Sequence, residues 1–428
     1  MGNGSRSRRL REAMAAGTAT AEAGDDPNAA RRAQKKAHKA RQRRRKNERR
    51  HDAVRAIVSR LAPPASGDAF TPLEKTRAWD GAPPIDWSTM RASCDPAKMA
   101  YDGDEASASA ANAASAAVVT VRAKRKRWQV ESFAVVLREL QREHERGGGG
   151  GNGGDDARRL KVVDFGAGSG NLTLPLAAAF PSMDFVAVEM KRRSADLVSQ
   201  RAAAAGLSNV TVLCGMIERA EIGPFDVGVA LHACGNATDH SIARCVRANA
   251  AFLVSPCCIG KLKFSIAGGS SFSANVVDYK DTALGSRPER EAGAGAAATK
   301  ASEDARNDDV VVCPPVEAIT HPRSRWLSTQ LASENEFAAL AAAADTGHAA
   351  GVPGGDAPSD DVLDIGRAAK TQVELDRAEG AREAGYVVRT LAVLNAAEAP
   401  PNKSDLIVGA RRGRWRDAFE RLAVAVSA

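Results

Sequence analysis

Between Leu160 and Ser255 the chain alternates short, almost wholly apolar runs with stretches whose apolar residues return every three or four positions. The runs Leu160–Phe165, Phe185–Glu189, Val210–Cys214, Val227–Leu231 and Ala251–Ser255 are five or six residues long, the length of buried strands. The intervening stretches predict a helix running to Ala179, a second over Arg192–Ala205 closed by Gly206, and a third over Asp239–Asn249. Strand–helix alternation of this kind builds a parallel sheet with helices on both faces. Upstream, Trp128, Phe133, Val136, Leu137 and Leu140 share one face of a helix predicted over Arg125–Arg146. Downstream, Trp326–Thr346 and Leu363–Gly385 read as helices, and Tyr386–Leu394 with Asp405–Ala410 as a closing antiparallel pair. The expected fold is therefore α/β: a doubly wound, Rossmann-like sheet of seven strands with a final antiparallel strand.

The rest of the chain lacks such patterning. Residues 1–117 are expected to form a disordered basic arm, with local helix around Arg31–Leu61 and docking points at Trp79 and Trp87. The domain is expected over 118–428, interrupted by a glycine linker at Gly147–Gly154 and a low-complexity insertion at 267–312. Aromatic residues make up only 4% of the chain, which fits one core rather than two or three.

Charge changes this picture at one place. Residues 31–50 hold twelve Lys or Arg and one acid, a net +11 against +8 for the whole chain. A block this basic suits a polyanion, and RNA is the expected partner, with a nuclear import receptor as the alternative. Seven cysteines, an odd number, argue against a secreted disulfide framework. No apolar run approaches the roughly 20 residues that span a bilayer, and no signal-like apolar segment opens the chain. The expectation is an intracellular protein without membrane association, in the cytoplasm, with nucleus or organelle as alternatives. Nothing in the sequence calls for an obligate protein partner.

Candidate chemistry begins where the first strand ends. Asp164 is followed by Gly166, Gly168 and Gly170, and then by a helix. Glycines let the backbone approach a ligand, and a helix start offers free N–H donors. A dinucleotide-binding loop carries its third glycine one position later, where Asn171 stands. The spacing found is that of the loop beside the methionine moiety in S-adenosylmethionine-dependent methyltransferases. Glu189, ending the second strand, is placed to accept hydrogen bonds from ribose hydroxyls, as an acid in NAD enzymes also is. Met216 and Ile217, after the third strand, lie where an adenine ring would be covered. The expected cofactor is S-adenosyl-L-methionine, held by Asp164, Gly166, Gly168, Gly170, Glu189, Met216 and Ile217.

The fourth strand runs into His232-Ala-Cys234-Gly235, and the fifth into Pro256-Cys257-Cys258. In a doubly wound sheet these carboxyl ends face the ligand crevice, so His232, Cys234, Cys257 and Cys258 should converge as catalytic candidates. Three functional readings stay open: zinc ligation, a cysteine nucleophile attacking a pyrimidine ring, and an acceptor pocket in which His232 acts as base. The fourth is that the cysteines simply pack as small apolar side chains. With neither a C-x-x-C spacing nor a paired-His motif, no metal ligand is assigned. Lys261, Arg323 and Arg325 are candidates for an acceptor phosphate or else solvated charges.

Taken in order, Asp164–Gly170, Val188–Met190, Ala230–Asp239, Pro256–Lys261, Pro322–Ser324 and Lys403–Leu406 resemble the class I methyltransferase family that includes the methyltransferase domain of the glutathione S-transferase C-terminal domain-containing protein. The resemblance runs from about Arg125 to Arg411, and no glutathione-transferase-like region appears in residues 1–120. The His-x-Cys-Gly element is also similar to that of tRNA 2′-O-methyltransferases. The resemblance implies methyl transfer from S-adenosylmethionine, with tRNA or rRNA as acceptor. A non-catalytic cofactor- or RNA-binding scaffold, and a protein or small-molecule methyltransferase, are the alternatives.

Overall fold

A computed structural model describes residues 27–67, 70–98, 121–147, 158–262, 319–345, 359–398 and 403–424. The chain divides into two compact units, Met1–Asp52 and Ala53–Ala428. The glycine linker beyond Gly147 and the 267–312 insertion lie outside the described residues, as do residues 1–26 of the arm.

Helix α1, Pro27–Arg60, carries the basic block. Its described side chains from Gln34 to Arg50 are all exposed.

The larger unit is built on one sheet. Its strands are β1 (Thr71–Pro72), β2 (Lys161–Phe165), β3 (Asp184–Glu189), β4 (Val210–Cys214), β5 (Val227–Leu231), β6 (Ala251–Ser255), β7 (Tyr386–Ala392) and β8 (Asp405–Arg411). They lie in the order β1-β7-β8-β6-β5-β2-β3-β4. All seven expected strands form, and the two-residue β1 joins as an eighth at the edge, parallel to β7. Strands β2 to β6 pair in parallel, and β8 is antiparallel to both β6 and β7. The chain leaves β2 toward β3 on one side and returns to β5 on the other. The sheet therefore has its topological switch point between β2 and β5, where ligands of doubly wound folds bind.

Period-two alternation sends successive side chains into two cores. Val162, Phe185, Val227, Val229 and Leu253 face one side, where helices α2 (Val121–Arg146) and α3 (Thr173–Ala179) cover them. Val163, Phe165, Val186, Val188 and Val254 face the other, beneath α5 (Asn236–Ala248) and α8 (Asp360–Glu383). Helix α4 (Arg192–Ala204) packs Val198 and Ala202 against Leu174 and Ala187. Beyond β6, two further helices form a third cluster: α6 (Arg325–Ser328) contributes Leu327, and α7 (Glu334–Ala343) contributes Phe337 and Leu340. The helix expected over Trp326–Thr346 is thus two helices, with a break between Ser328 and Glu334. A short helix α9, Arg416–Arg421, packs on α2.

The boundary expected near Val118 is corrected by the packing. Val54 and Ile57 at the end of α1 are buried with Leu327, Phe337 and Leu340. Leu73, Ala78 and Ile85 are buried in the core shared with α2, and Trp87 donates from Nε1 to Glu131 at 2.5 Å. Beyond α1 the buried residues punctuate a turn-rich segment singly, so no periodicity announces them; tertiary contacts hold them, with only β1 and a 3-10 turn at Leu73–Lys75 as regular structure.

Candidate functional site

The carboxyl ends of β2 and β3 meet at the switch point. Gly166, Gly168 and Gly170 all adopt positive φ, at 77°, 58° and 82°. The first two amides of the loop, Gly166 and Ala167, both donate to Val188 O, which ties the loop to β3. Gly168 N–H donates to Glu189 Oε2 and Lys191 N–H donates to Glu189 Oε1, each at 2.8 Å. The carboxylate is therefore fixed with one donor on each oxygen, and each oxygen keeps a lone pair for a further hydroxyl. Ile217 Cδ1 approaches the open side of Gly166, and Met216 and Ile217 are half-buried beside the end of β3, where Gly215 N–H donates to Glu189 O.

Asp164 sits differently from its neighbours. It is 1% exposed beneath the loop and accepts a 2.6 Å hydrogen bond from Thr173 Oγ1 at the first residue of α3. Burial pushes its carboxyl up to about 7, with the nearby Glu189 acting in the same direction. Its position makes it a brace between β2 and α3 under the cradle. The residues the sequence placed around a cofactor are thus brought together, with Asp164 and Gly170 facing the core and Gly166, Gly168, Met216 and Ile217 partly exposed around Glu189.

Several supporting residues were not foreseen. Arg201, buried on α4, donates to Ser169 O, to Asn171 Oδ1 at 3.1 Å and to Ser93 O at 2.9 Å. It links the glycine loop to a segment in which Cys94 is fully buried against Ala167 and Leu174. The only sequence signal was an arginine three residues after Val198, on a face that is otherwise apolar.

The second half of the site forms at the ends of β5 and β6. His232 adopts φ 62° and Gly235 φ 59°, both in left-handed backbone within four residues. His232 N–H donates to Ser255 O and Gly235 N–H to Cys258 O, clamping the two loops together. Cys234 Sγ lies 3.4 Å from Cys257 Sγ, and Cys257 Sγ 3.5 Å from Cys258 Sγ. Hydrogen bonds from Cys257 and Cys258 hold the Cys234 thiol well below its ordinary range, with Lys261 adding positive charge. Cys257 and Cys258 are both held above theirs, chiefly by the hydrogen bond each gives to Cys234. So the convergence expected of Cys234, Cys257 and Cys258 is found, with His232 at the root of the same turn.

Behind this turn lies a buried polar frame. Arg377 on α8 donates twice to Asp239 on α5, at 3.0 and 2.7 Å, and once to Gly235 O. Ser324 caps α6 and donates to Asp376, which also accepts the Arg323 and Ser324 amides. His321 donates from Nε2 to Asn236 Oδ1 at 2.8 Å, and burial lowers its pKa to about 4, leaving the ring neutral at physiological pH. Of the three cations considered for a phosphate, Arg323 reaches Thr320 O and lies 3.9 Å from Asp239, and Arg325 lies 3.6 Å from Glu383. Lys261 is exposed beside the cysteines.

Residues 125–264 match the family model described as a methyltransferase domain. Two relatives match part of the chain. The glutathione S-transferase C-terminal domain-containing protein of Xenopus laevis is 37% identical over 105 residues, 24% of this chain and 17% of its own length. The protein of that name from Homo sapiens is 35% identical over 125 residues, 28% of this chain and 19% of its own. The chain thus spans less than a fifth of the length of these two relatives. An O-methyltransferase from neocarzinostatin biosynthesis, solved in complex with S-adenosyl-L-homocysteine, is 23% identical over 22% of this chain and 34% of its own, with a TM-score of 0.21. The chain carries a methyltransferase domain, and the loop and Glu189 fit S-adenosylmethionine as its cofactor.

Proposed function

We propose that this methyltransferase domain transfers a methyl group from S-adenosylmethionine to RNA. The observation that carries the transfer is the cradle itself: three positive-φ glycines and a carboxylate pinned by two backbone amides, at the sheet's switch point. Glu189 would accept the ribose hydroxyls, Met216 and Ile217 would cover the adenine, and the glycine loop would lie against the methionine moiety. When bound there, S-adenosylmethionine supplies an electrophilic methyl group on sulfonium.

The chain's own residues then have two tasks. The ends of β5 and β6, with His232 and the three cysteines, follow β2 in the sheet order and form the wall against which an acceptor would be positioned. Positioning and exclusion of water lower the barrier, since both reacting groups are then held rather than sought. A hydroxyl or amine acceptor loses one proton as its bond to carbon forms, and His232 is the base we place there.

RNA as the acceptor class rests on α1. Lys35, Lys39, Arg41, Arg45, Arg49 and Arg50 are all exposed on one continuous helix, with Glu48 the only acid between residues 31 and 50. A line of cations on a helix matches a phosphate backbone and contributes affinity independent of base sequence. The test is transfer of tritium from labelled cofactor to total cellular RNA and to total protein, with Gly168→Asp as the control. Label in RNA that the variant does not give supports the reading. Label confined to protein overturns the RNA assignment, and equal labelling by both forms overturns the enzyme.

A further inference from the structure

We infer that Cys234, Cys257 and Cys258 bind a single divalent zinc ion through their three thiolates, with one coordination position left open. The inference does not rest on RNA being the acceptor. The spacing rules that argue against metal in the sequence are local ones, whereas here two loops far apart in the chain bring the ligands together.

The geometry is specific. Thiolates bound to zinc at about 2.3 Å in a tetrahedron stand about 3.8 Å from one another. The two Sγ separations here are 3.4 and 3.5 Å, and all three sulfurs lie within 4.8 Å of one another. The point equidistant from the corners of such a triangle is no more than about 2.4 Å from each sulfur, so bonds of zinc–sulfur length need almost no side-chain movement.

The frame is rigid before any metal arrives. His232 and Gly235 take positive-φ backbone, and Gly235 N–H donates to Cys258 O. Arg377 holds Gly235 O from below. A ligand set fixed in this way loses little conformational freedom on binding. Cys257 is 4% exposed, but Cys234 and Cys258 are half-buried, which leaves the ion a route in.

Binding needs no oxidant or reductant. As each zinc–sulfur bond forms, its thiol releases a proton to solvent, and the resulting site carries one net negative charge. Lys261 bears on Cys234 electrostatically and offsets it. Among the described residues no further His, Cys, Asp or Glu atom joins the group, so the fourth position falls to water or to a substrate atom. Zinc sites that touch substrates keep such a position, whereas purely structural sites are closed by a fourth protein ligand.

The test uses the full chain, purified under reducing conditions without chelator. Metal analysis should find one zinc per chain. Replacing zinc by cobalt(II) should give thiolate-to-cobalt charge-transfer absorption together with visible bands of tetrahedral intensity. Cys234→Ser, Cys257→Ser and Cys258→Ser should each lose stoichiometric zinc, while Cys214→Ser, outside the cluster, should keep it. Circular dichroism identifies any variant that fails to fold, and the wild-type cobalt spectrum decides in that case. Wild-type protein that holds no zinc and shows no charge-transfer band with cobalt overturns the proposal. So does zinc that survives all three substitutions. Methyl transfer is not read in any of these measurements, so failure here leaves the enzyme reading standing and the reverse also holds.

Discussion

Gly168 and Gly170 lie two residues apart in the same loop, with φ of 58° and 82°, yet alanine at each should do different damage. A Cβ at Gly168 would meet nothing within 4 Å, because that side of the loop is open. A Cβ at Gly170 would sit 3.0 Å from Leu174 Cγ and Cδ1 and 3.3 Å from Val198 Cγ1. Left-handed backbone costs a non-glycine residue roughly 1–2 kcal/mol, offset by roughly 0.4–1 kcal/mol from the stiffer unfolded chain. Gly168→Ala should therefore lose only about 1 kcal/mol of stability. Gly170→Ala adds overpacking against two buried side chains, roughly 1–3 kcal/mol, for a total of about 2–4 kcal/mol.

Ligand binding should run the opposite way. The methyl group of Gly168→Ala projects into the space the cofactor would fill, beside the amide that anchors Glu189 Oε2. Weakening binding there by about 1.4 kcal/mol is a tenfold rise in Kd. Urea unfolding gives the stabilities, and calorimetric titration of the folded variants with S-adenosylhomocysteine gives the affinities. Gly168→Ala should be nearly as stable as wild type and bind at least about tenfold more weakly. If it binds as tightly as wild type, the cradle does not hold this ligand and the assignment of the loop is wrong.

Three further outcomes are expected. Asp239→Asn leaves the Arg377 charge buried without its counter-ion, which should cost about 3–5 kcal/mol in urea unfolding, whereas removing both partners together as Asp239→Leu with Arg377→Met should cost clearly less than the two single changes combined. Asp164 is raised in the folded state from 3.8 to about 7, so the folded form holds its proton longer than the unfolded one; stability from this group is complete below about pH 4 and is lost as pH rises to 7, by at most about 4 kcal/mol. Asp164→Asn should flatten that part of the stability–pH curve, and an unchanged slope would show that another group sets it. Replacing Lys35, Lys39, Arg41, Arg45 and Arg49 by Gln should lower the salt dependence of binding to single-stranded RNA, by up to about 0.7 in logarithmic slope for each phosphate no longer neutralised; a slope that does not change would remove α1 from the interface.

What the sequence disclosed, and what it withheld, divides along a physical line. Strands β5 and β6 match the apolar runs residue for residue, because a strand inside the sheet needs a nearly uninterrupted apolar run, which leaves a local trace. The glycine loop was legible for a similar reason: positive φ at three fixed positions admits few residues other than glycine. The two-residue β1 was not, since it has no pattern of its own and exists only because β7 offers an open edge at Leu391 and Ala392. The joining of residues 53–98 to the domain was legible only at Trp79 and Trp87, which do pack on the core; the rest depends on single residues such as Leu73, Ile85 and Cys94 finding distant cavities. The cysteine site stands between these cases. Its residues were picked out because topology predicts that neighbouring strands end together, yet their separations depend on where two loops turn. His232 and Gly235 set that turn by entering positive-φ backbone, and Arg377, more than a hundred residues later, holds it from beneath. A sequence can therefore name the atoms of such a site from strand order alone, but whether those atoms lie at packing distance or at bonding distance from a common centre is decided by the frame behind them.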